Sequence, residues 1–216
     1  MESKYNFKEL MKERHSCRKF QSKKIPEEVL KDIISISLAS PSWCNSQPWN
    51  IHVATGKTLE EIRKEWIAKH KEKIKGYADI HPGHRTDFSE RSQGTMSKFF
   101  KLFDDLPNKN DYALDSDMFN AQAMVYLIVN KGHKEYSVLD LGGIEMAIML
   151  AAKDHGVDSI PAYTTIMFPD VLRKNMKISE KEDIVIGIAL GYEEKDPINE
   201  HRSSKLTLEE VCHFYN

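Results

Sequence analysis

The sequence predicts an α+β fold, and three observations carry that expectation. Apolar, strand-like runs at 49–54, 123–129 and 185–192 are separated by helical patterns of unequal length, with no regular βαβ alternation. No GxGxxG follows any of these runs, which argues against a dinucleotide-binding Rossmann unit. The phosphate loop GxxxxGK[ST] is also missing, so any phosphate must be held by side chains.

Composition narrows the class further. At 216 residues, 40% apolar and 30% charged, the chain suits one soluble domain, residues 1–216, with a heavily charged surface. The balance of 31 basic against 33 acidic residues gives no global field for nucleic acid or anionic membrane. No uncharged stretch is long enough to span a bilayer, and the N-terminus lacks the apolar core of a signal peptide. Cys17, Cys44 and Cys212 are odd in number, widely spaced and form no CxxC pair. Neither a disulfide framework nor a zinc knuckle is suggested, and a cytoplasmic location is expected.

Taken in order, Phe7, Leu10 and Met11 mark one face of a short first helix. Arg14-His15-Ser16-Cys17-Arg18-Lys19-Phe20 interrupts it with four basic or potentially basic side chains and a hydroxyl. Guanidinium groups grip anions through forked, charge-assisted hydrogen bonds, although a short basic run also describes a solvated face. Pro26 to Leu38 then carries Val29, Leu30, Ile33, Ile34 and Leu38 at helical spacing, with Pro26 suited to the first helical position. Trp49, Ile51 and Val53 alternate with Asn50, His52 and Ala54, a short strand that Gly56 closes. Between helix and strand, Ser40, Ser42, Asn45, Ser46 and Gln47 are held by Pro41 and Pro48. Such residues dominate ordinary turns, and they also concentrate hydrogen-bonding groups for a ligand.

Residues 57–118 differ in character and read as a helical covering insertion. Lys and Glu dominate to Lys75, and a stretch from about Asp87 to Leu106 has a greasy side of Phe88, Met96, Phe99, Phe100 and Phe103. Between them a Pro-Gly turn separates His81 from His84, two ligands where a metal site takes three or four, so no metal is expected. Ala123 to Val129 has the length and β-branched content of a buried strand. Leu141, Ile144, Ala147, Ile148 and Ala151 share a helical face that Gly156 stops, while Gly142 and Gly143 suggest close packing by a helix or a flat ligand. An extended piece leads through Pro161 to Thr165, and a short helix starts near Pro169. In the strand Val185–Tyr192, Gly187 and Gly191 point to close backbone approach. A polar arm from Glu193 ends in an amphipathic segment at Leu206–Val211, an arrangement suited to docking on another subunit.

Assembled in order, RHSCRKF, SPSWCNSQPWN, GVDSIPAYTT, and IGIALGY followed by HRSSKLTLEEV resemble the FMN-dependent nitroreductase family over nearly the whole chain. Arg85, Phe88 and Arg91, ahead of Phe119-Asn-Ala, look like the branch that includes nitrobenzoate reductases. The resemblance implies a nitroreductase-like fold, a central mixed or antiparallel sheet flanked by helices. It also implies a homodimer that exchanges the arm at about 193–216, with FMN at the subunit interface. NADH or NADPH would be the co-substrate, and a nitroaromatic, quinone or similar flat acceptor would take the hydride in a ping-pong sequence.

By motif position, Arg14, His15, Ser16 and Arg18 would hold the phosphate, ribityl chain and pyrimidine edge, and Arg202 and Lys205 would complete the phosphate grip. Pro41, Ser42, Trp43, Asn45 and Gln47 would reach the same flavin from the other subunit. Pro161, Ala162, Tyr163 and Thr164 would lie along the ring, with a backbone N–H near N5. No catalytic side chain is implied, because the flavin carries the electrons. Three departures stand out: Leu114-Asp115-Ser116-Asp117 replaces an Asn-x-x-Lys of many relatives, Arg18 replaces a lysine of some, and Ser204 occupies a place often basic. The same scaffold also serves reductive dehalogenases and flavin-consuming enzymes, and a non-catalytic flavin-binding or interaction module is a further alternative.

Overall fold

Residues 6–104 and 117–216 are described by a computed structural model. Leu106, Leu114, Asp115 and Ser116, named above, lie outside the described residues.

The central strand is β2, Ala123–Asn130, buried at every position but its last. Successive side chains of a strand point to opposite faces. Met124, Tyr126 and Ile128 accordingly join one apolar cluster, and Ala123, Val125, Leu127 and Val129 the other. β2 lies between β1, Asn50–Thr55, and β4, Glu182–Gly191, and β4 in turn pairs with β3, Asp158–Pro161. The four-stranded sheet has the order β1-β2-β4-β3 and is antiparallel throughout. Ser16 adds one isolated parallel bridge to Ser159 at its β3 edge. With helices on both faces, this is the α+β architecture read from the sequence.

One face is covered by α2, Glu27–Ser37, and α5, Glu135–Asp154, through Leu30 and Ile33 packed with Leu141, Ile144 and Ile148. The other is covered by α3, Gly56–Lys71, and α6, Pro169–Met176, through Leu59, Ile62 and Trp66 with Val171 and Leu172. Full burial of such side chains is worth about 1.5–3 kcal/mol each, so these two stripes are what hold the layers together. Pro26 sits at the N-cap of α2, one position earlier than expected.

The expected covering insertion at 57–118 divides. Its first helix, α3, is a core helix, because Leu59, Ile62 and Trp66 recur every three to four residues and are buried, while its many charges face away. The part that remains on the outside is α4, Glu90–Lys101, which has no buried residue. The connection between them is pinned by Asp79. Its carboxylate accepts from Arg173 Nη2 at 2.9 Å and from the Ile184 backbone N–H at 2.8 Å. Arg173 also donates to the Glu182 carbonyl at 2.6 Å, and both partners of the ion pair are almost fully buried.

The two strand glycines earn their place. A Cβ on Gly187 would lie 2.4 Å from Thr165 Oγ1, and one on Gly191 would lie 2.6 Å from the buried Phe20 ring. These contacts let the chain around Phe20 and the turn around Thr165 settle directly on β4. Gly142 and Gly143 behave differently: they lie within α5, and among the described residues nothing outside their own helical backbone approaches within 4 Å of where a Cβ would stand.

α1, Phe7–Glu13, opens on a capping box in which the Glu9 N–H donates to Asn6 Oδ1 and the Asn6 N–H to Glu9 Oε2, each at 3.1 Å. Its Phe7 and Met11 stay exposed. So do Leu208, Val211, Phe214 and Tyr215 of the C-terminal arm around α7, Leu208–Val211. Among the described residues no helix is long and apolar enough to cross a membrane.

Candidate functional site

The segment after α1 is fixed to the sheet edge and to the chain before β2 by two backbone hydrogen bonds. The Cys17 N–H donates to the Ser159 carbonyl at 3.0 Å, and the Phe20 N–H to the Phe119 carbonyl at 3.1 Å. Cys17 and Phe20 are thereby buried in the core. Burial pushes the Cys17 thiol up to about 12, so it stays protonated and acts as packing. Arg14, Ser16 and Arg18 are left on the outer side, where with His15 they line one wall of a cavity of about 440 Å³.

The opposite wall comes from the other end of the chain. His201, Arg202, Ser203 and Lys205 line the same cavity, and Lys12 of α1 stands at its rim. Asn199 joins the two walls. It is buried, its Oδ1 accepts from the Arg18 backbone N–H at 2.7 Å, and its amide donates to the carbonyls of Lys19 and Glu194 at 2.8 and 2.9 Å. A further tie is the Lys19–Asp196 ion pair at 2.6 Å. The expected N-terminal and C-terminal basic groups are thus brought together across more than 180 residues of sequence. Ser204 is not part of the lining, while its neighbour Ser203 is.

The cavity carries excess positive charge. Among the described residues Arg14, Arg18, Arg202 and Lys205 form no ion pair with a carboxylate. Burial lowers the pKa of Arg18, and the positive charge of Arg202 lowers it further. Burial alone lowers that of Arg14. Guanidinium groups stay charged regardless, so these shifts mark desolvated cations that a bound anion would relieve. Among the described residues Arg14 Nε and His15 Nε2 are buried without a hydrogen-bond partner. His15 Nε2 lies 3.3 Å from the Glu193 carboxylate but out of hydrogen-bonding line, and its Nδ1 sits 2.9 Å from the Glu13 carbonyl.

Pro161, Ala162, Tyr163 and Thr164 are not part of the cavity lining; they follow Ser159, the β3 residue that Ser16 bridges. They lead into a 3-10 turn, Tyr163–Ile166, that is fixed on several sides. The Ala162 N–H donates to the Gly187 carbonyl at 2.7 Å, and Thr165 Oγ1 donates to the Ala162 carbonyl at 2.7 Å. Trp66 of α3 donates its indole N–H to the Thr164 carbonyl at 3.3 Å. Thr164 Oγ1 and Ser159 Oγ are buried with no hydrogen-bond partner among the described residues. With Ala162 committed to Gly187, the backbone donors at the start of the turn, Tyr163 and Thr164, have no partner from within the turn.

The loop of Pro41, Ser42, Trp43, Asn45 and Gln47 lies apart from the cavity in one chain. It docks on the start of α5, where the Trp43 N–H donates to Asp140 at 3.0 Å and the Trp43 ring meets Tyr136 at 4.9 Å. Ser42 Oγ accepts from the Gln47 N–H at 2.9 Å. Cys44, Asn45 and Gln47 adopt positive φ, conformations costing up to about 1–3 kcal/mol each and persisting only where the surroundings hold them. Trp43 remains 61% exposed.

Asn199, His201, Ser203 and Lys12 were not expected from the sequence. The Asp196-Pro197 start of the short 3-10 turn Pro197–Glu200 was the available signal, because Asp196 caps it through the Ile198 N–H at 3.0 Å. The spacing of Phe99 and Phe103 predicts only a greasy face, whereas both rings lie against Arg18. Asp117 is exposed, and its carbonyl accepts from Arg63 Nε at 3.0 Å. The His81–His84 turn contains a Gly83 N–H donating to His81 Nδ1 at 3.0 Å.

Comparison with known proteins follows the same lines. The family model described as the Nitroreductase family matches residues 11–192. The chain is 26% identical to a 4-nitrobenzoate reductase of Pseudomonas putida over 216 residues, covering 97% of this chain and 95% of the relative. It is also 26% identical to a nitrobenzene nitroreductase of Ectopseudomonas oleovorans, covering 95% of each. Among solved structures, an FMN-dependent nitroreductase from Mycobacterium smegmatis, determined in complex with NADPH, matches with a TM-score of 0.88 at 22% identity, covering 97% of both chains. At that identity the likeness speaks for the fold.

Proposed function

This chain belongs to the nitroreductase family, and from that premise we propose that it is an FMN-dependent oxidoreductase that takes hydride from NADH or NADPH and passes it to a nitroaromatic or similar flat acceptor. One observation carries the reading. Four cations from opposite ends of the chain, Arg14, Arg18, Arg202 and Lys205, meet in one cavity with no carboxylate to neutralise them among the described residues. Arg14, Arg202 and Lys205 supply the donors a phosphate needs, and Arg18 leaves a fourth cation for another electron-rich edge of the ligand. The buried Arg14 Nε, without a hydrogen-bond partner among the described residues, fits the same group, and the buried Ser159 and Thr164 hydroxyls of the neighbouring segment would suit a polar chain.

When bound, FMN supplies the two-electron chemistry, and the protein supplies binding, orientation and charge. Arg14, Arg202 and Lys205 would hold the phosphate. Arg18 would face the pyrimidine edge, where a fixed cation favours negative charge. Tyr163 and Thr164 would present backbone donors from a turn held rigid by Trp66, Thr165 and Gly187. The absence of any separate nucleotide motif in the sequence fits one binding face that nicotinamide and acceptor occupy in turn.

Two copies are needed in this reading. The polar loop of Ser42, Trp43, Asn45 and Gln47 stands away from its own cavity, and would complete the site of a partner. Support comes from the apolar surface that one chain leaves open: Phe7 and Met11 of α1, Phe214 and Tyr215 of the arm, and the face of α5 at Tyr136, Leu139, Gly142 and Gly143. A homodimer with exchanged arms would cover it. Free cysteines, Cys17, Cys44 and Cys212, accord with a cytoplasmic location.

Anaerobic stopped-flow mixing of the FMN-loaded protein with NADH and with NADPH tests the activity. The visible flavin band is expected to bleach with at least one nicotinamide and to return on adding 4-nitrobenzoate, whose nitro group takes two electrons and two protons and leaves as nitroso compound plus water. A loaded protein that neither nicotinamide bleaches would contradict the proposal.

A further inference from the structure

Arg18 is held by more than its backbone. Its guanidinium carbon lies 5.2 Å from the centre of the Phe103 ring and 5.7 Å from that of Phe99, both within the range of cation–π attraction. The two rings meet each other nearly edge to face at 5.2 Å. On its other side Phe103 stacks with His201 at 6.0 Å and 15°. Arg18 Nη1 donates to the Ser16 carbonyl at 3.0 Å, and Arg18 and His201 both line the basic cavity.

The pattern is selective along the covering helix. Phe99 and Phe103 are four residues apart and therefore share one face of α4 and its C-terminal turn. Phe100, one residue round, pairs with Arg85 at 4.3 Å and leaves Arg18 alone. A planar guanidinium stacked on aromatic rings keeps its N–H groups for hydrogen bonds, and Arg loses less freedom per bond once so arranged. A long basic side chain otherwise wanders among many rotamers, and here it stands near Arg202, a like charge that pushes it away.

We propose that Phe99 and Phe103 are positioning residues for Arg18: they fix the orientation of its guanidinium at the cavity, so the covering helix sets how strongly the protein favours negative charge on the bound flavin. This rests on the reading of the cavity as an FMN site. It gives α4 a role beyond excluding water, since displacement of the helix withdraws the rings that hold the cation in place.

The test uses the FMN-loaded full-length protein and its Phe99→Leu, Phe103→Leu and doubly substituted forms, which keep apolar bulk and remove the rings. The readouts are the FMN dissociation constant, from fluorescence quenching, and the two-electron reduction potential, from equilibration with a reference dye. Loss of both rings is expected to weaken binding of reduced relative to oxidised FMN about tenfold, which lowers the potential by about 30 mV. Phe103→Tyr, which keeps a ring, is expected to retain the wild-type potential, and so is Phe100→Leu. Either single leucine variant carries the test if the double one does not fold. Leucine variants that bind FMN at the wild-type potential would overturn this inference alone. A wild-type protein that binds no FMN would overturn the cofactor reading, and this inference with it.

Discussion

Alanine at both Arg14 and Arg202 is expected to weaken FMN binding at least about a hundredfold, because each charge-assisted hydrogen bond to an anion is worth roughly 1.5–3 kcal/mol. The two residues stand on opposite walls of the cavity, one after α1 and one in the arm. Neither is engaged with a carboxylate among the described residues, so their removal leaves no orphaned anion behind. Arg202 does donate to the carbonyls of Asn199 and His201, contacts that cost little to replace with water at an exposed position. Thermal stability without cofactor is therefore expected to change by no more than about 2 °C, in keeping with substitutions outside the core. Titration of the apo variants with FMN, followed by flavin fluorescence, checks the affinity. Binding within threefold of wild type would place the phosphate elsewhere.

Asp79→Ala is expected to cost about 3–5 kcal/mol of stability, the usual penalty for removing one partner of a buried ion pair. The cost does not come from losing an attraction alone. Asp79 satisfies both the Arg173 guanidinium and the Ile184 backbone N–H, and without it a buried cation retains only the Glu182 carbonyl and an exposed Glu180. For a chain of this size that loss corresponds to a fall in melting temperature of roughly 10 °C. Asp79→Asn, which keeps one acceptor, is expected to recover part of it. Melting curves at a fixed protein concentration, which removes the effect of subunit association, provide the check. A melting temperature within about 2 °C of wild type for Asp79→Ala would show that Arg173 finds other partners.

Much of this architecture was legible in the sequence because burial imposes a period. The β-branched run at 123–129, the Leu141–Ile148 face and the glycines at 187 and 191 all report directly on what packs against them. The basic residues of both termini were legible as a set only through the family resemblance, since nothing local tells Arg14 that Arg202 is its neighbour. Asn199, which joins them, is one polar residue in a polar arm, and its burial depends entirely on chain segments 180 residues away. α3 was hidden by its own lysines and glutamates: a helix that is charged on three sides still buries Leu59, Ile62 and Trp66 on the fourth. Phe99 and Phe103 were visible as apolar positions, but a cation partner at Arg18 has no periodic signature. Gly142 and Gly143 suggested close packing by a helix or a flat ligand, and among the described residues of one chain nothing packs there.

The proposed activity depends on a cavity built to take a phosphate at the end of a flavin. The measurement that addresses this most directly is a parallel titration of the apoprotein with FMN and with riboflavin, which differ only in that phosphate. With the phosphate interaction worth at least about 3 kcal/mol from the two arginine walls together, FMN is expected to bind at least a hundredfold more tightly, and the difference to shrink as salt is raised. Equal affinity for the two flavins, or none for either, would contradict it.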